Sequence, residues 1–292
     1  MIKIDRMELA DIGNPEKLAR AVIDQLGDID LPIPVREIAT ALDIVEIKPI
    51  AASGFEGGLI TFDDKSSGCI LINENSRPQR QRFTIGHELG HYLNPWHNPG
   101  SEGQFMCKTQ DMVVSGATAD NRQKMEVEAN QFSAELLMPT KFIQSDIKRL
   151  RTPEIDHIVS LASKYDVSKE SMGRRYIEFQ DEPCALVFSK NGVLSYTVKG
   201  QYFPQLAVWR KGEAIPQNTL TKNYQAQSGN SSEWREHASD IWLSNSKKYE
   251  SIYEQVLVQD DGYRITLLTL GDEVVDENEE ELTNSYRALF KR

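Results

Sequence analysis

The sequence predicts an α+β fold arranged in three parts, and three observations predict it. Apolar residues recur at helical spacing from Asn14 to Leu26, across Gln79–Leu93 and across Lys124–Met138. Two β-rich runs, Phe55–Phe62 and Cys69–Asn73, bracket the turn-forming stretch Asp63-Asp64-Lys65-Ser66-Ser67-Gly68. Beyond Asp181-Glu182-Pro183 the pattern changes to strands with few helical signals. The expected divisions are residues 1–138, a sheet-and-helix domain; 139–180, a helical segment; and 181–292, a mixed α/β module.

Asn14–Leu26 has the spacing of an amphipathic helix, and Leu31-Pro32-Ile33-Pro34 marks its exit. Val35–Leu42 is a second short helix and Ile44–Ile47 begins a strand. The bracketed runs then form a hairpin. In the next helix Ser76 is positioned to cap, Pro78 suits the first turn, and Asn94-Pro95 stops the run. After Pro139, helices are expected over Lys141–Leu150, Glu154–Tyr165 and Lys169–Phe179; the last two, joined by Asp166-Val167-Ser168, have a helix-turn-helix-like layout. In the last part, Cys184–Phe188, Gly192–Val198, Gln205–Arg210 and Tyr263–Leu270 are strand candidates, with Lys190-Asn191-Gly192 as a turn. Asn223–Glu236 is expected to be a long polar loop, His237 is solitary, and Trp234 and Trp242 are packing residues.

The helix over Gln79–Leu93 contains His87-Glu88-Leu89-Gly90-His91, an HExxH pentapeptide. Residues four apart on an α-helix lie one turn above each other, so two imidazoles can hold one metal ion between them. Glu88, one step round the turn, can act as general base on a water activated by the ion. The chemistry this points to is hydrolysis of a peptide bond, and sheet followed by such a helix is a zincin-like layout. Zinc is the expected ion, although imidazole and carboxylate ligands also accept Mn²⁺ or Fe²⁺.

Catalytic zinc takes three protein ligands and keeps one position open. His97, six residues after His91, fits the third-histidine spacing of HExxHxxGxxH, with Asn94 at the glycine position. Pro95 pushes Asn94 toward extended backbone, against the turn that spacing needs. The other reading of His97 is an exposed loop residue. The rival ligand is Glu126, one turn before Asn130 on the strong helix Lys124–Met138, whose buried stripe is Ala129, Phe132, Leu136 and Leu137. Asn130 could support a ligand imidazole from behind. Glu128 lies roughly 200° round the helix from Glu126, so only one of the two can face the metal.

Arg82–Leu93 (RFTIGHELGHYL) followed by Glu126–Pro139 (EVEANQFSAELLMP) resembles the ImmA/IrrE family of zinc metallopeptidases, whose paired signatures are RFTxAHELGHxL and ExxANxFAxxLLMP. Roughly the first 180 residues carry this resemblance. It implies a zincin-like domain with His87, His91 and Glu126 on zinc, Glu88 as general base, and a specific protein substrate, typically a helix-turn-helix transcriptional repressor encoded nearby. In some members the last domain is sensor-like, resembling GAF. Two positions depart from the signatures: Gly86 stands for the usual Ala, and Ser133 for the Ala after Phe. The alternative to an enzyme is a noncatalytic, metal-stabilised regulator acting through a partner or DNA.

Net charge is −11, which disfavours nonspecific binding to phosphate backbones. The basic residues Lys164, Lys169, Arg174 and Arg175 are offset by Glu154, Asp156, Asp166, Glu170 and Glu178, so the helical segment lacks the uncompensated cations that direct DNA binding needs. Arg174 and Arg175 fit surface ion pairs better than an oxyanion contact. Cys69, Cys107 and Cys184 offer no CxxC spacing and no even disulfide set. No apolar run is long enough to span a bilayer and the N-terminus lacks a signal-peptide pattern, so a cytoplasmic location is expected. The acidic run over 271–281 is expected to be solvated.

Overall fold

A computed structural model describes residues 2–98, 104–108 and 120–272; the acidic run falls almost wholly outside them. The architecture is α+β, and the chain divides into two compact units: Met1–Arg149 with Val159–Arg175, and Leu150–Ile158 with Tyr176–Arg292.

The first unit begins with α1 (Pro15–Gln25), where Asn14 Oδ1 accepts from the Lys17 amide and Pro15 fills the first turn. Helix α2 (Val35–Ala41) leads through Asp43, at φ 67°, into β1 (Ile44–Ile50). Strands β2 (Phe55–Thr61) and β3 (Gly68–Asn73) pair antiparallel, as the turn-rich sequence between them predicts. Strand β1 runs parallel to β3 on its other side. Beyond β2 the sheet continues into β4 (Gln104–Lys108), so its order is β1-β3-β2-β4. Strand β4 was not expected, because it lies in a polar stretch between the two signature helices with no alternation to mark it.

Helix α3 (Pro78–Leu93) carries the HExxH residues, and α4 (Asn121–Leu137) packs against it. Ser76 does not cap α3; its hydroxyl instead donates to Glu56 Oε2 at 3.2 Å, and Arg77 occupies the N-cap position without a side-chain bond. Asp120 caps α4 by accepting from the Arg122 amide at 3.0 Å. The expected stripe of Ala129, Phe132, Leu136 and Leu137 is buried, meeting a core that includes Leu18, Val22, Ile85, Leu89 and Tyr92. Each of the Leu, Ile, Val and Phe side chains contributes about 1.5–3 kcal/mol on full burial, enough to fix α3 and α4 against their neighbours.

Helices α5 (Thr140–Lys148), α6 (Ile155–Tyr165) and α7 (Lys169–Glu178) follow closely where periodicity places them. Asp166 takes φ 48° in the turn after α6, and the Val167 amide closes onto the Ala162 carbonyl at 3.0 Å.

The second unit holds an antiparallel sheet of order β6-β5-β9-β8-β7, comprising β5 (Cys184–Lys190), β6 (Val193–Lys199), β7 (Arg235–Ala238), β8 (Ser251–Val258) and β9 (Tyr263–Leu270). Asn191 and Gly192 both take positive φ in the β5–β6 turn, as a two-residue hairpin requires. Gln205–Arg210 is not a strand: it pairs only briefly with Trp242–Ser244, through the Leu206–Leu243 bridge and the bonds from the Ala207 amide to the Trp242 carbonyl at 2.8 Å and from the Ser244 amide to the Gln205 carbonyl at 3.0 Å. Strands β7 and β8 were missed. Strand β8 places Glu254 and Gln255 in the buried middle of the sheet, which erases the expected alternation. The Glu254 carboxylate accepts from the Leu220 amide at 2.9 Å, the Thr221 amide at 2.5 Å and Trp242 Nε1 at 3.3 Å, tying α8 (Leu220–Asn223) to the sheet. His237 is buried with Nε2 2.9 Å from that carboxylate, and Trp242 is a core residue.

Candidate metal centre

From Thr84 to Leu93 every residue of α3 is buried, so the HExxH side chains sit inside the protein rather than on a surface face. Polar groups withdrawn from water this way need partners. His87 and His91 project from the same side of α3, and Glu126 comes from α4. His87 Nε2 lies 3.1 Å from Glu126 Oε2 and 3.1 Å from His91 Nε2, and His91 Nε2 lies 3.6 Å from the same carboxylate oxygen. One donor atom from each of the three lies within 4.8 Å of the others.

The outer edges of both imidazoles are also engaged. His87 Nδ1 is 2.9 Å from Asn130 Oδ1, one turn after Glu126 on α4. His91 Nδ1 is 3.0 Å from His97 Nδ1, and His97 Nε2 is 2.9 Å from Glu128 Oε2. His97 therefore meets the edge of His91 that faces away from Glu126. It is not an exposed loop residue either, being 1% exposed. Asn94 has φ −68° and ψ 120°, the extended conformation that Pro95 enforces, so the chain makes no glycine-type turn there.

Burial pushes the His91 imidazole down to about 3, against the opposing pull of Glu126, which leaves it neutral with a lone pair to offer. Burial would raise the Glu126 carboxyl, but its close contacts with the His87 and His91 rings outweigh burial and hold the group below its ordinary range. Two imidazole nitrogens and an ionised carboxylate converging in a buried site form a suitable donor set for a divalent ion. Among the described residues, this group could bind a metal.

Glu88 is fully buried where β2 comes closest to α3. A Cβ at Gly57 would lie 2.9 Å from Glu88 Oε1 and 2.2 Å from Thr84 Cγ2, so only glycine allows this approach. The end of α3 is held by Lys65, whose Nζ donates to the carbonyls of His91 and Asn94, each at 2.8 Å. No local sequence signal marks Lys65 or Gly57 for these roles, since both depend on how the hairpin lies against α3.

Arg174 makes the surface pair its sequence suggests, 3.8 Å from Glu170. Arg175 does not: it is buried, bonded to Glu135, to the Met138 carbonyl at 3.1 Å and to Thr140 Oγ1 at 3.1 Å. A side chain read as a surface cation instead closes the end of α4. No helix among the described residues is long and apolar enough to cross a membrane.

Residues 45–176 match the family described as the IrrE N-terminal-like domain. Over 108 residues the chain is 31% identical to the radiation response metalloprotease IrrE of Deinococcus radiodurans, covering 37% of this chain and 30% of that relative, less than a third of its length. The fold is similar to that of a Mycobacterium tuberculosis transcriptional regulator, with a TM-score of 0.55 and 13% identity over 91% of this chain and 79% of the other. The stretch similar to the IrrE N-terminal-like domain, residues 45–176, contains both the HExxH helix and the helix bearing Glu126.

Proposed function

We propose that the protein is a zinc-dependent endopeptidase that cleaves one protein substrate, a helix-turn-helix transcriptional repressor, and so regulates gene expression. The convergence of His87, His91 and Glu126 in a buried site, with the buried Glu88 next to His87 in sequence, carries this reading. His87 and His91 would hold the ion through Nε2, and Glu126 through a carboxylate oxygen. A bound zinc ion supplies Lewis acidity, lowering the pKa of water and polarising a scissile carbonyl. Glu88 accepts the proton from the attacking water and returns it to the leaving amine. Asn130 holds the His87 ring by accepting from Nδ1. Three basic residues of the helical segment are paired within the chain, which weighs against direct DNA contact: Lys164 with Asp146 at 2.6 Å, Arg174 with Glu170, and Arg175 with Glu135.

Glu88→Gln separates an enzyme from a noncatalytic regulator. It should keep the metal and lower cleavage of a repressor encoded beside the gene by about a hundredfold or more, the scale of general-base catalysis. Cleavage unchanged in Glu88→Gln, or a metal-loaded protein whose regulatory output survives the substitution, would defeat the peptidase reading.

A further inference from the structure

We infer that His97 and Glu128 form a positioning pair that fixes the His91 ring with Nε2 turned toward the metal. The inference rests on the proposal that His87, His91 and Glu126 bind a divalent ion. For His91 to offer Nε2 to that ion, its ring proton must sit on Nδ1. That Nδ1 lies 3.0 Å from His97 Nδ1, which must then be the acceptor. With its own Nδ1 unprotonated, neutral His97 carries its proton on Nε2 and donates it to Glu128 Oε2 at 2.9 Å. Every proton in the chain Glu128–His97–His91 is thereby specified, and the direction set by the carboxylate ends at the lone pair of a ligand.

The arrangement parallels that of His87, whose Nδ1 proton goes to Asn130 Oδ1. Glu126 and Asn130 serve the His87 side of the site, while Glu128, on another side of α4, serves the His91 side through an intervening imidazole. His97 is built into place. Its amide donates to the Asn94 carbonyl at 3.2 Å, and that carbonyl also accepts from Lys65 at 2.8 Å. Asn94 Nδ2 donates to the Gly13 carbonyl at 3.1 Å, and the Trp96 amide donates to Asn94 Oδ1 at 3.0 Å. A Cβ on Gly13 would lie 2.1 Å from the Trp96 ring, so the N-terminal segment clasps this loop closely. Gly13 lies outside residues 45–176, so part of what holds His97 comes from beyond the matched domain.

The test is zinc affinity of the full chain, measured by competition with a chromophoric chelator, with folding checked by circular dichroism. His97→Ala should weaken zinc binding by about tenfold to a hundredfold, the usual effect of removing a group that orients a ligand. His97→Gln, which offers an amide oxygen to His91, should recover most of that loss. Should His97→Ala fail to fold, Glu128→Ala, at a partly buried position of α4, should still weaken binding, by about threefold to tenfold on the same grounds. In the zinc-loaded wild type, nitrogen-detected NMR should find a slowly exchanging proton on His91 Nδ1 and the His97 proton on Nε2.

Wild-type affinity in His97→Ala or Glu128→Ala would overturn the inference. So would a His97→Gln loss as large as that of His97→Ala, which would make His97 a ligand, or a His97 proton found on Nδ1. A wild-type protein that binds no zinc would instead defeat the metallopeptidase proposal itself, so the two failures are distinguishable.

Discussion

Gly86 on α3 and Ser133 on α4 face each other so closely that a Cβ on Gly86 would lie 2.5 Å from the Ser133 hydroxyl oxygen and 3.2 Å from its Cβ. Ser133 uses that space to donate to the Phe83 carbonyl at 2.8 Å. The two positions that depart from the family signatures are thus one exchange: a methyl is absent on one helix and a hydroxyl is present on the other. Gly86→Ala alone should destabilise the protein by about 1–3 kcal/mol through overpacking. Adding Ser133→Ala should remove the closest contact, leaving the tight 3.2 Å approach of the two Cβ atoms, and so recover part of the loss, aided by the helix propensity of alanine over glycine, about 1 kcal/mol. Thermal or denaturant unfolding of the four variants measures the coupling. Additive single and double effects would show that the helices do not meet there.

Gly57 holds β2 against Glu88, and Gly57→Ala should cost about 1–3 kcal/mol as the strand backs away from Thr84. Thr84→Ser removes the methyl group that lies 2.2 Å from the new Cβ, so it should restore part of the stability. It leaves the 2.9 Å contact with Glu88 Oε1, so cleavage should stay impaired in the double variant. Full recovery of cleavage with Thr84→Ser would dissociate Gly57 from Glu88.

Buried Glu135 accepts from Arg20 Nε at 3.0 Å, from the Thr140 amide at 3.0 Å and its hydroxyl at 2.7 Å, and from Arg175. Burial raises its carboxyl, but these donors outweigh it and hold the group below its ordinary value of 4.5. Because the native value is the lower one, its stabilisation is complete above pH 4.5 and is lost as pH falls through that native value. Glu135→Gln leaves Arg175 buried without its counter-charge and should cost about 3–5 kcal/mol near neutrality. Unfolding free energies compared across pH should show this difference shrinking below pH 4.5. A difference independent of pH would mean that the carboxylate charge is not what closes the end of α4.

Helices α3 and α4 were legible because their signals are local: apolar spacing, a stopping Asn94-Pro95, and ligand types at i and i+4. The helical angle between Glu126 and Glu128 allows only one of them to face the two histidines, and the resemblance of Glu126–Pro139 to the second signature is what points to Glu126. What Glu128 does instead was not legible, because its bond to His97 spans 31 positions and depends on a loop held by Gly13 and Lys65. Gly86 and Ser133 were visible singly, while their contact depends on the register of one helix against another. In the second unit, β5, β6 and β9 followed from β-branched runs, whereas β8 was hidden by Glu254 and Gln255, buried polar residues that a pattern of alternation cannot anticipate.

The account turns on a single cation held by two turns of α3 and one of α4. Metal content of the purified full chain, measured after zinc loading and exhaustive dialysis, tests it most directly when wild type is compared with Glu126→Ala. One zinc per chain in the wild type and its loss in the variant is the predicted result. No retained metal in the wild type, or the same content in Glu126→Ala, would contradict it.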